Sequence, residues 1–555
     1  MGSCTTPPPE PAPASPFGRG RNVAVIGAGI SGVCAAAHLL KQGLSVTVFE
    51  RSTIPGGVWH YDERPSEDPP YPNQIPSLGD YRVSKKGEFA AATDASPPSP
   101  RSEKGETLSQ AVNGDNTSKA TDPEVGFSPP GPCYAGLQTN VPTSLMFSSL
   151  DPWPEGTAFY ERQQNVERYI QTIAKNHGVE SVTLFRTRVD DVRKTDDGTK
   201  WEVRSVTFDN DGPGGVQLVE RFSLFDLVVV ASGHYNMPRI PDIEGLKEWK
   251  AAFPDRVIHS KQYRDPQKYR DQNLLVIGAG VSSVDICREL DGVANKSYQS
   301  VRGGSFDLPA SLLPKNATRV TEVVRFTLPE GYSPEQRPGP GQPVPGTAVL
   351  KDGRVLDDIH QLVLGTGYIT SYPFLPQLHS DTAPITSASD DILVTSDGEM
   401  AHNLHKDIFF INDPTLAFVG VPYYVATFSC FDYQAQVVAR VFAGKVRIPP
   451  AEEMRKEYET RVKAKGLGRN FHSLAGDGGE IVYVKDLAEW VNRDVEALGD
   501  EPMASHSEDW VREALEMKKK MKALFEGFKD SGHVVTTVAL RDGESSGETP
   551  DGRVS

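Results

Sequence analysis

The sequence predicts an α/β fold with parallel sheets, and three observations support this prediction. Short apolar runs of strand length alternate with helix-like segments: VAVIGA, SVTVFE, FDLVVVAS, NLLVIGA, IHQLVLGTG and LAFVGVP. Strands that are apolar along both faces are typical of parallel sheets covered by helices. A glycine-rich turn follows the first and the fourth of these runs, so one unit occurs twice. Polar, low-complexity segments lie outside these runs, at the two ends and in one internal stretch.

The composition excludes several classes of function. Acidic residues outnumber basic ones by 74 to 58, for a formal net charge of −16. A general nucleic-acid binder or a polybasic membrane anchor would need a basic surface instead. The cysteines form no C-x-x-C pair and have no metal-ligand spacing, so we expect no disulfide framework, no metal site and a reduced, cytoplasmic setting. They are Cys4, Cys34, Cys133, Cys287 and Cys430.

The chain shows no membrane-spanning signal. The apolar run over residues 23–40 is broken by three glycines, and no other run approaches the ~20 residues that a transmembrane helix needs. The N-terminus MGSCTT fits a loose myristoylation pattern, with Gly2 as acceptor and Cys4 as a second acylation site. The alternative is an unmodified polar tail, and Pro7 directly after the pattern favours that alternative.

The first glycine-rich turn has the spacing of a dinucleotide-binding loop. It reads G-x-G-x-x-G between a strand and an alanine-rich helix, whose N-terminus would face a pyrophosphate. Glu50 ends the next strand, roughly 20 residues further on, where an acid binds ribose hydroxyls. An acid at this point favours FAD or NAD over NADP. The predicted contacts of this loop are Gly27, Ala28, Gly29, Ile30, Ser31, Gly32 and Glu50.

The segment PGGVW after Glu50 decides between these two cofactors. Two glycines followed by an aromatic residue suit close approach to a flat ring system, so Gly57, Val58 and Trp59 are predicted to contact a flavin. Taken alone, the glycines would form an ordinary turn and Trp59 would be a core residue.

The second glycine-rich turn, in NLLVIGAGVSSVDICREL, repeats the pattern with serine at the third glycine position. The strand after it ends at Arg302, where the first unit has an acid. A cation there is the exchange expected for a 2′-phosphate, hence NADP(H), and the alternative is a solvated strand-end arginine. One FAD-like and one NADP-like site together indicate a flavin reductase or oxygenase. The predicted contacts are Gly278, Gly280, Ser282, Ser283, Lys296 and Arg302.

The expected architecture is therefore two dinucleotide-binding, Rossmann-like domains, with the NADP domain inserted into the FAD domain. Residues 84–130 have almost no aliphatic side chains and are predicted to form a low-complexity insertion looped out of the first domain. The expected segments are a disordered tail (1–20), the FAD-binding domain (21–242 and 351–450), the NADP-binding domain (243–350), a helical extension (451–535) and a second disordered tail (536–555).

Four further segments carry a family resemblance: GGVW, LQTNVPTSLMFSS, FPDRVIHSKQYR and LVLGTGYITSYPFL. They resemble, in order, the glycine–tryptophan segment, the T-N-x-P segment, the F-x-G-x-x-x-H-x-x-x-Y fingerprint and the A-T-G-Y motif of the flavin-containing monooxygenases, the class B flavoprotein monooxygenases. The similarity extends over roughly residues 21–490, apart from 84–130.

The sequence departs from the family pattern at several positions. Asp255 and Ser283 stand where the family has glycine, Gly365 where it has alanine, and Ser232 where threonine is frequent. Asp255 is expected to be tolerated, because aspartate adopts positive φ more readily than most residues. The related Baeyer–Villiger monooxygenases end the fingerprint in tryptophan, and Tyr263 at that point favours nitrogen or sulfur oxygenation over their oxygenation of ketones.

The resemblance implies a cycle in which NADPH reduces FAD, O2 adds at the flavin C4a to give a (hydro)peroxyflavin, and one oxygen atom passes to a small organic substrate. It also implies that Thr139 and Asn140 lie beside the flavin, where the Asn140 amide is the candidate catalytic donor. The alternative for Asn140 is a capping residue before Pro142. His259 and Tyr263 would shape the domain hinge or the cofactor pocket, or they would be buried hydrogen-bonding residues. The sequence does not predict the substrate, the pathway or the oligomeric state. A tailoring role in secondary-metabolite biosynthesis is inferred by analogy with related enzymes.

Two other classes of function compete with this hypothesis. The disulfide reductases share the double dinucleotide fold but need a redox C-x-x-C, which this sequence lacks. A non-catalytic dinucleotide-binding module remains as an alternative from another class. Purified protein that carries a yellow flavin would argue against that module.

Overall fold

The computed structural model describes residues 16–91, 122–210, 215–304, 307–333, 335, 337–476 and 478–526. The predicted acylation sites Gly2 and Cys4, the tail 536–555 and most of the insertion 84–130 lie outside these residues. The strands are β1 (Asn22–Ile26), β2 (Ser45–Phe49), β3 (Ala90–Ala91), β4 (Thr183–Leu184), β5 (Thr187–Lys194), β6 (Trp201–Asp209), β7 (Gln217–Phe225), β8 (Leu227–Val230), β9 (Met237–Pro238), β10 (Val257–His259), β11 (Asn273–Ile277), β12 (Lys296–Ser300), β13 (Ala317–Val320), β14 (Val323–Thr327), β15 (Thr347–Leu350), β16 (Val355–Leu356), β17 (Gln361–Leu364), β18 (Tyr368–Ile369), β19 (Leu404–His405), β20 (Phe409–Phe410) and β21 (Leu416–Phe418). The helices are α1 (Ile30–Lys41), α2 (Pro123–Phe127), α3 (Gln163–Asn176), α4 (Leu246–Ala252), α5 (Val281–Glu289), α6 (Thr427–Phe442), α7 (Ala451–Lys465), α8 (Gly479–Leu498) and α9 (Glu508–Glu526).

The first domain is built on a seven-stranded sheet in the order β19-β20-β21-β8-β1-β2-β4. Its central strands β2, β1, β8 and β21 are parallel. On one face α1 packs against α3 and α6, with α8 outside α6, and this layer holds the largest apolar cluster. The register places Ile26 opposite both Phe49 and Val230, so the strands β1, β2 and β8 end at one level. That level is the edge where α/β folds bind their ligands.

The second domain is built on a five-stranded parallel sheet in the order β10-β17-β11-β12-β13. All its strands lie between β8 and β19 in sequence, so the second domain is inserted into the first, as the sequence predicted. The predicted boundary at residue 350 is wrong, because β17 runs between β10 and β11 in the second sheet. The second domain therefore extends to at least Leu364, and the chain returns to the first domain after that strand.

The predicted insertion 84–130 is too wide at both ends. Ser84 is buried, and its backbone N–H donates to Asp190 Oδ2 at 3.0 Å. The strand β3 pairs with β7 in a four-stranded sheet of order β3-β7-β6-β5. Phe127 in α2 is also buried, in a cluster with Val206 and Phe208. The two ends of the predicted insertion are thus folded against the domain, and residues 92–121 lie outside the described chain.

The N-terminal tail is also shorter than predicted. Within residues 1–20, Phe17 stacks on Phe442 with ring centroids 6.0 Å apart, and the Gly18 N–H donates to the Phe442 carbonyl at 2.9 Å. The helical extension after residue 450 consists of α7, α8 and α9 in its described part. No helix in the described part of the chain combines the length and the apolar character needed to cross a membrane.

Candidate active site

A cavity of about 1020 Å³ lies where the carboxyl ends of the two parallel sheets face each other. Thirteen of the predicted site residues line it. They are Gly27, Gly29, Ile30, Ser31, Glu50, Gly57, Val58, Trp59, Asn140, Gly278, Gly280, Ser282 and Arg302. The other five, Ala28, Gly32, Thr139, Ser283 and Lys296, do not line it, and the structure gives each of them a different place.

The first glycine loop is compact because its glycines touch one another's backbone. Gly27 has φ +102°, and a β-carbon there would lie 2.7 Å from the Ala231 carbonyl oxygen. A β-carbon on Gly32 would lie 1.8 Å from the Gly27 carbonyl oxygen, so only glycine lets α1 start this close to β1. Gly32 therefore packs against the Gly27 carbonyl, on the side of the loop that faces away from the cavity. The N-terminus of α1 at Gly29 has no side-chain cap, which leaves its N–H groups for an anion.

The segment that carries Trp59 covers this loop. Gly57 has φ +57°, and a β-carbon there would lie 2.8 Å from the Gly29 Cα. The Gly56 N–H also donates to the Ala28 carbonyl at 3.1 Å. The two glycine segments thus meet backbone to backbone, and half-buried Trp59 follows on the cavity wall.

Glu50 lies at the end of β2 and is 7% exposed. Its Oε2 accepts a hydrogen bond from the Ala28 N–H at 2.6 Å, and its Oε1 accepts one from the Ser52 N–H at 2.8 Å. The Ala28 N–H is therefore bonded to Glu50, and Ala28 does not line the cavity. This corrects the prediction that Ala28 contacts the cofactor directly. A buried acid beside an uncapped helix N-terminus fits a dinucleotide with unphosphorylated ribose.

Asn140 lines the cavity and is half-buried. Within the described residues its side chain makes no hydrogen bond, so its amide can serve a ligand. Thr139 is fully buried instead: its N–H donates to the Glu161 carbonyl at 2.8 Å, and its hydroxyl accepts from the Glu161 N–H at 3.1 Å. Thr139 thus holds Asn140 at the wall and does not reach the cavity itself.

The second glycine loop is more open than the first. A β-carbon on Gly280 would have nothing within 4 Å, and α5 begins there without a side-chain cap. Ser283 is fully buried, and its hydroxyl donates to the Gly365 carbonyl at 3.4 Å. A β-carbon on Gly365 would lie 2.1 Å from the Ser283 hydroxyl oxygen. Ser283 and Gly365 both depart from the family pattern, and they are in contact with each other. The serine hydroxyl fills the space that a side chain at position 365 would need.

The two predicted cations lie at opposite ends of β12. Lys296 starts the strand opposite Asn273, and its ammonium donates to the Tyr298 hydroxyl at 2.8 Å. Arg302 follows the strand's carboxyl end, is exposed and lines the cavity. The prediction that Lys296 contacts the cofactor is therefore wrong. The strand rises about 3.3 Å per residue, so its first residue lies far from the glycine loop at its other end.

The fingerprint segment, residues 253–264, contains β10 of the second sheet. His259 accepts from the Lys261 N–H through Nδ1, at 3.1 Å, and donates from Nε2 to the Gly367 carbonyl, at 3.1 Å. Burial, with the charge of Lys261, lowers the pKa of His259 to about 3, so the ring is neutral. Tyr263 is fully buried and donates its hydroxyl to Glu289 Oε2 at 3.0 Å. Both residues are thus structural, one of the two roles that the sequence left open.

A buried ionic cluster that sequence reasoning missed lies beside these residues. Lys261 donates to Asp80 Oδ2 at 2.7 Å, and Arg51 donates to both Asp80 oxygens at 3.0 Å. Burial alone would raise the pKa of Asp80, but the charges of Arg51 and Lys261 outweigh it and hold that pKa well below its usual value. Arg51 follows a strand of the first sheet and Lys261 a strand of the second, so the cluster ties the two sheet edges together.

Two further cavity residues carried no recognisable sequence pattern. Burial lowers the pKa of His234 to about 4, so it is neutral, and its Nδ1 donates to the Gly420 carbonyl at 3.1 Å. Arg469, between α7 and α8, reaches the wall beside Gly367. Within the described residues, no group of three or more His, Cys, Asp or Glu side chains is arranged to hold a metal ion.

Comparisons with known proteins agree with this geometry. A family model described as flavin-binding monooxygenase-like matches residues 130–326 and 344–498, and one described as an NAD(P)-binding Rossmann-like domain matches residues 25–83. The chain is 41% identical to the flavin-containing monooxygenase ustF2 of Aspergillus flavus, over 90% of this chain and 98% of that one. It is 31% identical to the flavin-containing monooxygenase iboF of Amanita muscaria, over 85% of this chain and 88% of that one.

A solved structure shows the same fold. The S-allyl-L-cysteine S-oxygenase from Allium sativum superposes with a TM-score of 0.60 at 23% identity, covering 92% of this chain and 95% of that one. The backbone contact of the two glycine segments, the uncapped starts of α1 and α5, and the acid and cation after the two strands all suit bound dinucleotides. The chain belongs to the flavin-binding monooxygenase-like family, and it is a flavoprotein monooxygenase that uses FAD and NADP(H).

Proposed function

We propose that this enzyme transfers one oxygen atom of O2 to a nitrogen or sulfur atom of a small organic substrate, as a tailoring oxidation in secondary-metabolite biosynthesis. NADPH supplies the two electrons as a hydride, and the second oxygen atom leaves as water together with that hydrogen and one proton from solvent. The observation that carries this proposal is Asn140, whose amide has no hydrogen-bond partner in the described chain and faces the same cavity as Gly57 and Trp59. Tyr263, where ketone-oxygenating relatives have tryptophan, supports a nitrogen or sulfur target.

We assign FAD to the first loop and NADP to the second. Glu50 would bind the ribose of FAD, the N-terminus of α1 its pyrophosphate, and Gly57 with Trp59 its ring. The N-terminus of α5 would hold the pyrophosphate of NADP, and Arg302 its 2′-phosphate. When bound, FAD would be reduced by NADPH and would then react with O2, which is the source of the transferred oxygen atom.

The chain's own residues orient the reactants and exclude water. The Lys261–Asp80–Arg51 cluster fixes the two sheet edges at one separation, which sets the distance between the two cofactor sites. His234 is neutral and donates to a backbone carbonyl, so it adds no proton donor of its own to the wall. The Asn140 amide N–H is the group placed to donate to the transferred oxygen atom.

Product analysis with three probe compounds tests this function. Enzyme loaded with FAD is incubated with NADPH, O2 and either thioanisole, N,N-dimethylbenzylamine or phenylacetone. We expect one added oxygen atom as sulfoxide or N-oxide, detected by mass spectrometry. Ester formation from phenylacetone without any sulfoxide or N-oxide would instead assign the enzyme to Baeyer–Villiger oxygenation.

A pair of substitutions tests the role of Asn140. Asn140→Ala removes the amide, and Asn140→Asp keeps its size but removes the N–H donor. One donor aimed at developing charge is worth roughly 3 kcal/mol, or about 10²-fold, in comparable sites. Both variants should still oxidise NADPH but release hydrogen peroxide in place of oxygenated product. The measurements are the ratio of product to NADPH consumed and the anaerobic rate of flavin reduction.

The two readouts separate the possible roles of this residue. An unchanged ratio would make Asn140 a structural residue of its segment. A collapsed anaerobic rate would mean that Asn140 positions the nicotinamide. If Asn140→Asp keeps the wild-type ratio while Asn140→Ala does not, then shape and not hydrogen-bond donation is what the site needs.

A further inference from the structure

The helix α9 lies beyond residue 498, where the family match ends, yet one of its faces lines the cavity. Trp510, Ala514 and Met517 on this face are spaced by four and three residues, which places them in one stripe. Trp510 and Ala514 are 5% and 7% exposed, whereas Leu515 on the outer face is 41% exposed. The cavity is thus closed on one side by a helix outside the matched family core.

Directional hydrogen bonds fix α9 to the segment that carries Asn140. The Trp510 indole N–H donates to the Leu145 carbonyl at 3.0 Å, and the Ser144 hydroxyl donates to Glu513. One residue after Met517, the Lys518 ammonium donates to the Gly476 carbonyl at 3.0 Å. The inner face of α9 therefore has a defined position relative to Asn140.

Trp510, Ala514 and Met517 form an apolar stretch of the cavity lining with their neighbours, and the charged residues Glu480 and Lys518 line the cavity next to it. Val141, Leu145 and Ile481 pack with the α9 stripe in one cluster, and all of them face the cavity. The indole N–H of Trp510 is already bonded, and one face of its ring stacks on His506 with centroids 3.5 Å apart, so the ring offers a ligand only its remaining apolar surface. We call Val141, Leu145, Ile481, Trp510, Ala514 and Met517 the apolar wall. Such a surface, with an aromatic ring and a thioether, favours contact with aromatic or branched alkyl groups.

We propose that the apolar wall is the specificity subsite of the enzyme and takes an aryl or branched alkyl substituent of the substrate. This inference rests on the proposed function, since the substituent is carried by the nitrogen or sulfur atom that is oxygenated. Val141 directly follows Asn140, so a group on the apolar wall keeps the reacting atom close to the Asn140 amide. Ala514 is the smallest side chain of the wall and sets how large a group it admits.

Two sulfides of different size test the apolar wall. Enzyme loaded with FAD oxygenates thioanisole and dimethyl sulfide, and the ratio of their kcat/KM values is the measure. Ala514→Phe fills the wall with a second ring and should lower this ratio roughly 10-fold or more, because apolar pockets discriminate about that strongly per missing or extra group. Met517→Ala widens the wall and should raise kcat/KM for 2-(methylthio)naphthalene relative to thioanisole. Leu515→Phe adds the same ring on the outer face of α9 and should keep the wild-type ratio.

A binding measurement separates failure of this inference from failure of the proposed function. Ethylbenzene cannot be oxygenated at a heteroatom, and its Kd is measured by equilibrium dialysis against each FAD-loaded protein. If the wild type oxygenates neither sulfide, the proposed function fails, and a Kd raised roughly 10-fold in Ala514→Phe still supports the apolar wall. An unchanged kcat/KM ratio and an unchanged Kd in flavin-loaded Ala514→Phe overturn the apolar wall. If Ala514→Phe does not retain flavin, Met517→Ala decides by the same two measurements.

Discussion

The two glycine loops start from nearly the same sequence pattern but are enclosed to very different degrees. Every residue of α1 from Ile30 to Leu39 is buried, whereas only four residues of α5 are buried. Gly57 covers Gly29 backbone to backbone, whereas Gly280 would have nothing within 4 Å of a β-carbon. The first loop is thus built into a core, and the second lies open at a domain edge.

This difference matches what the two cofactors have to do. A flavin stays with the enzyme through many turnovers, so the backbone contacts of a covered loop suit it. A nicotinamide cofactor has to exchange, and an open loop with an exposed Arg302 permits binding without rearrangement of a core. The burial of a dinucleotide loop therefore indicates whether its cofactor stays bound between turnovers, which the glycine spacing does not.

Matched valine substitutions should separate the two loops most strongly. Gly29→Val places branched carbons at the uncapped start of α1, where they would block a bound pyrophosphate, so we expect protein that purifies without FAD. Gly280→Val meets no neighbour and should keep its flavin while raising the KM for NADPH. The measurements are the flavin absorbance per protein and the KM. Full FAD occupancy in Gly29→Val would contradict the assignment of FAD to the first loop.

The anchoring of the first helix rests on a buried carboxylate. Asp432 in α6 lies 2.9 Å from His38 Nε2 in α1, and it accepts hydrogen bonds from the hydroxyls of Ser148 and Ser149. Burial raises the pKa of Asp432, but His38 and the hydrogen bonds outweigh this and lower it to about 2. Asp432→Asn should lower the free energy of unfolding by about 2–3 kcal/mol at neutral pH, the amount that a pKa shift from about 3.9 to about 2 supplies.

The pH dependence of that loss follows from the lowered pKa. Stability from Asp432 is fully present above the unfolded-state pKa of about 3.9 and is lost as the pH falls through about 2. Urea unfolding at several pH values, at one fixed FAD concentration, should therefore show wild type and variant converging below pH 4. Asp391→Asn, at an exposed position whose carboxylate makes no hydrogen bond or ion pair within the described residues, serves as the control. A difference that stays constant down to pH 2 would rule out this carboxylate as the source.

The exposed cation of the second loop should govern the choice of nicotinamide cofactor. Loss of one charge-assisted contact to phosphate costs about 1.5–3 kcal/mol, or about 10- to 150-fold in affinity. Arg302→Ala should raise the KM for NADPH by such a factor and leave the KM for NADH nearly unchanged. Lys296→Ala should change neither, since Lys296 lies at the far end of β12. Equal effects of Arg302→Ala on both cofactors would contradict a 2′-phosphate contact.

The smallest effect is expected where the second loop departs from the family pattern. Gly365→Ala would bring a β-carbon to 2.1 Å from the Ser283 hydroxyl and 3.2 Å from the Ile277 carbonyl oxygen. Because the serine can rotate, we expect a loss of about 1 kcal/mol in the free energy of unfolding, at the low end for overpacking. Ser283→Gly combined with Gly365→Ala should recover most of it. Additive effects in this double-mutant cycle would show that the two positions are independent.

The sequence by itself determined the fold class, the two glycine loops and the family. Local rules suffice for these features, because a strand–turn–helix unit with an acid or a cation after the next strand is specified within about 30 residues. The same local reasoning failed at boundaries. It closed the second domain before β17 and assigned Ser84, Phe127 and Phe17 to flexible segments, because few apolar side chains were visible there.

Only the tertiary structure decided which of the predicted residues face the cavity. Lys296 and Arg302 are close in sequence, but β12 separates them along its length. Thr139 and Asn140 are adjacent, yet one is buried on Glu161 and the other lines the wall. The Lys261–Asp80–Arg51 cluster and the inner face of α9 join segments up to several hundred residues apart. No periodicity or spacing encodes such contacts, since they form only when packing brings the two sheets and the C-terminal helices together.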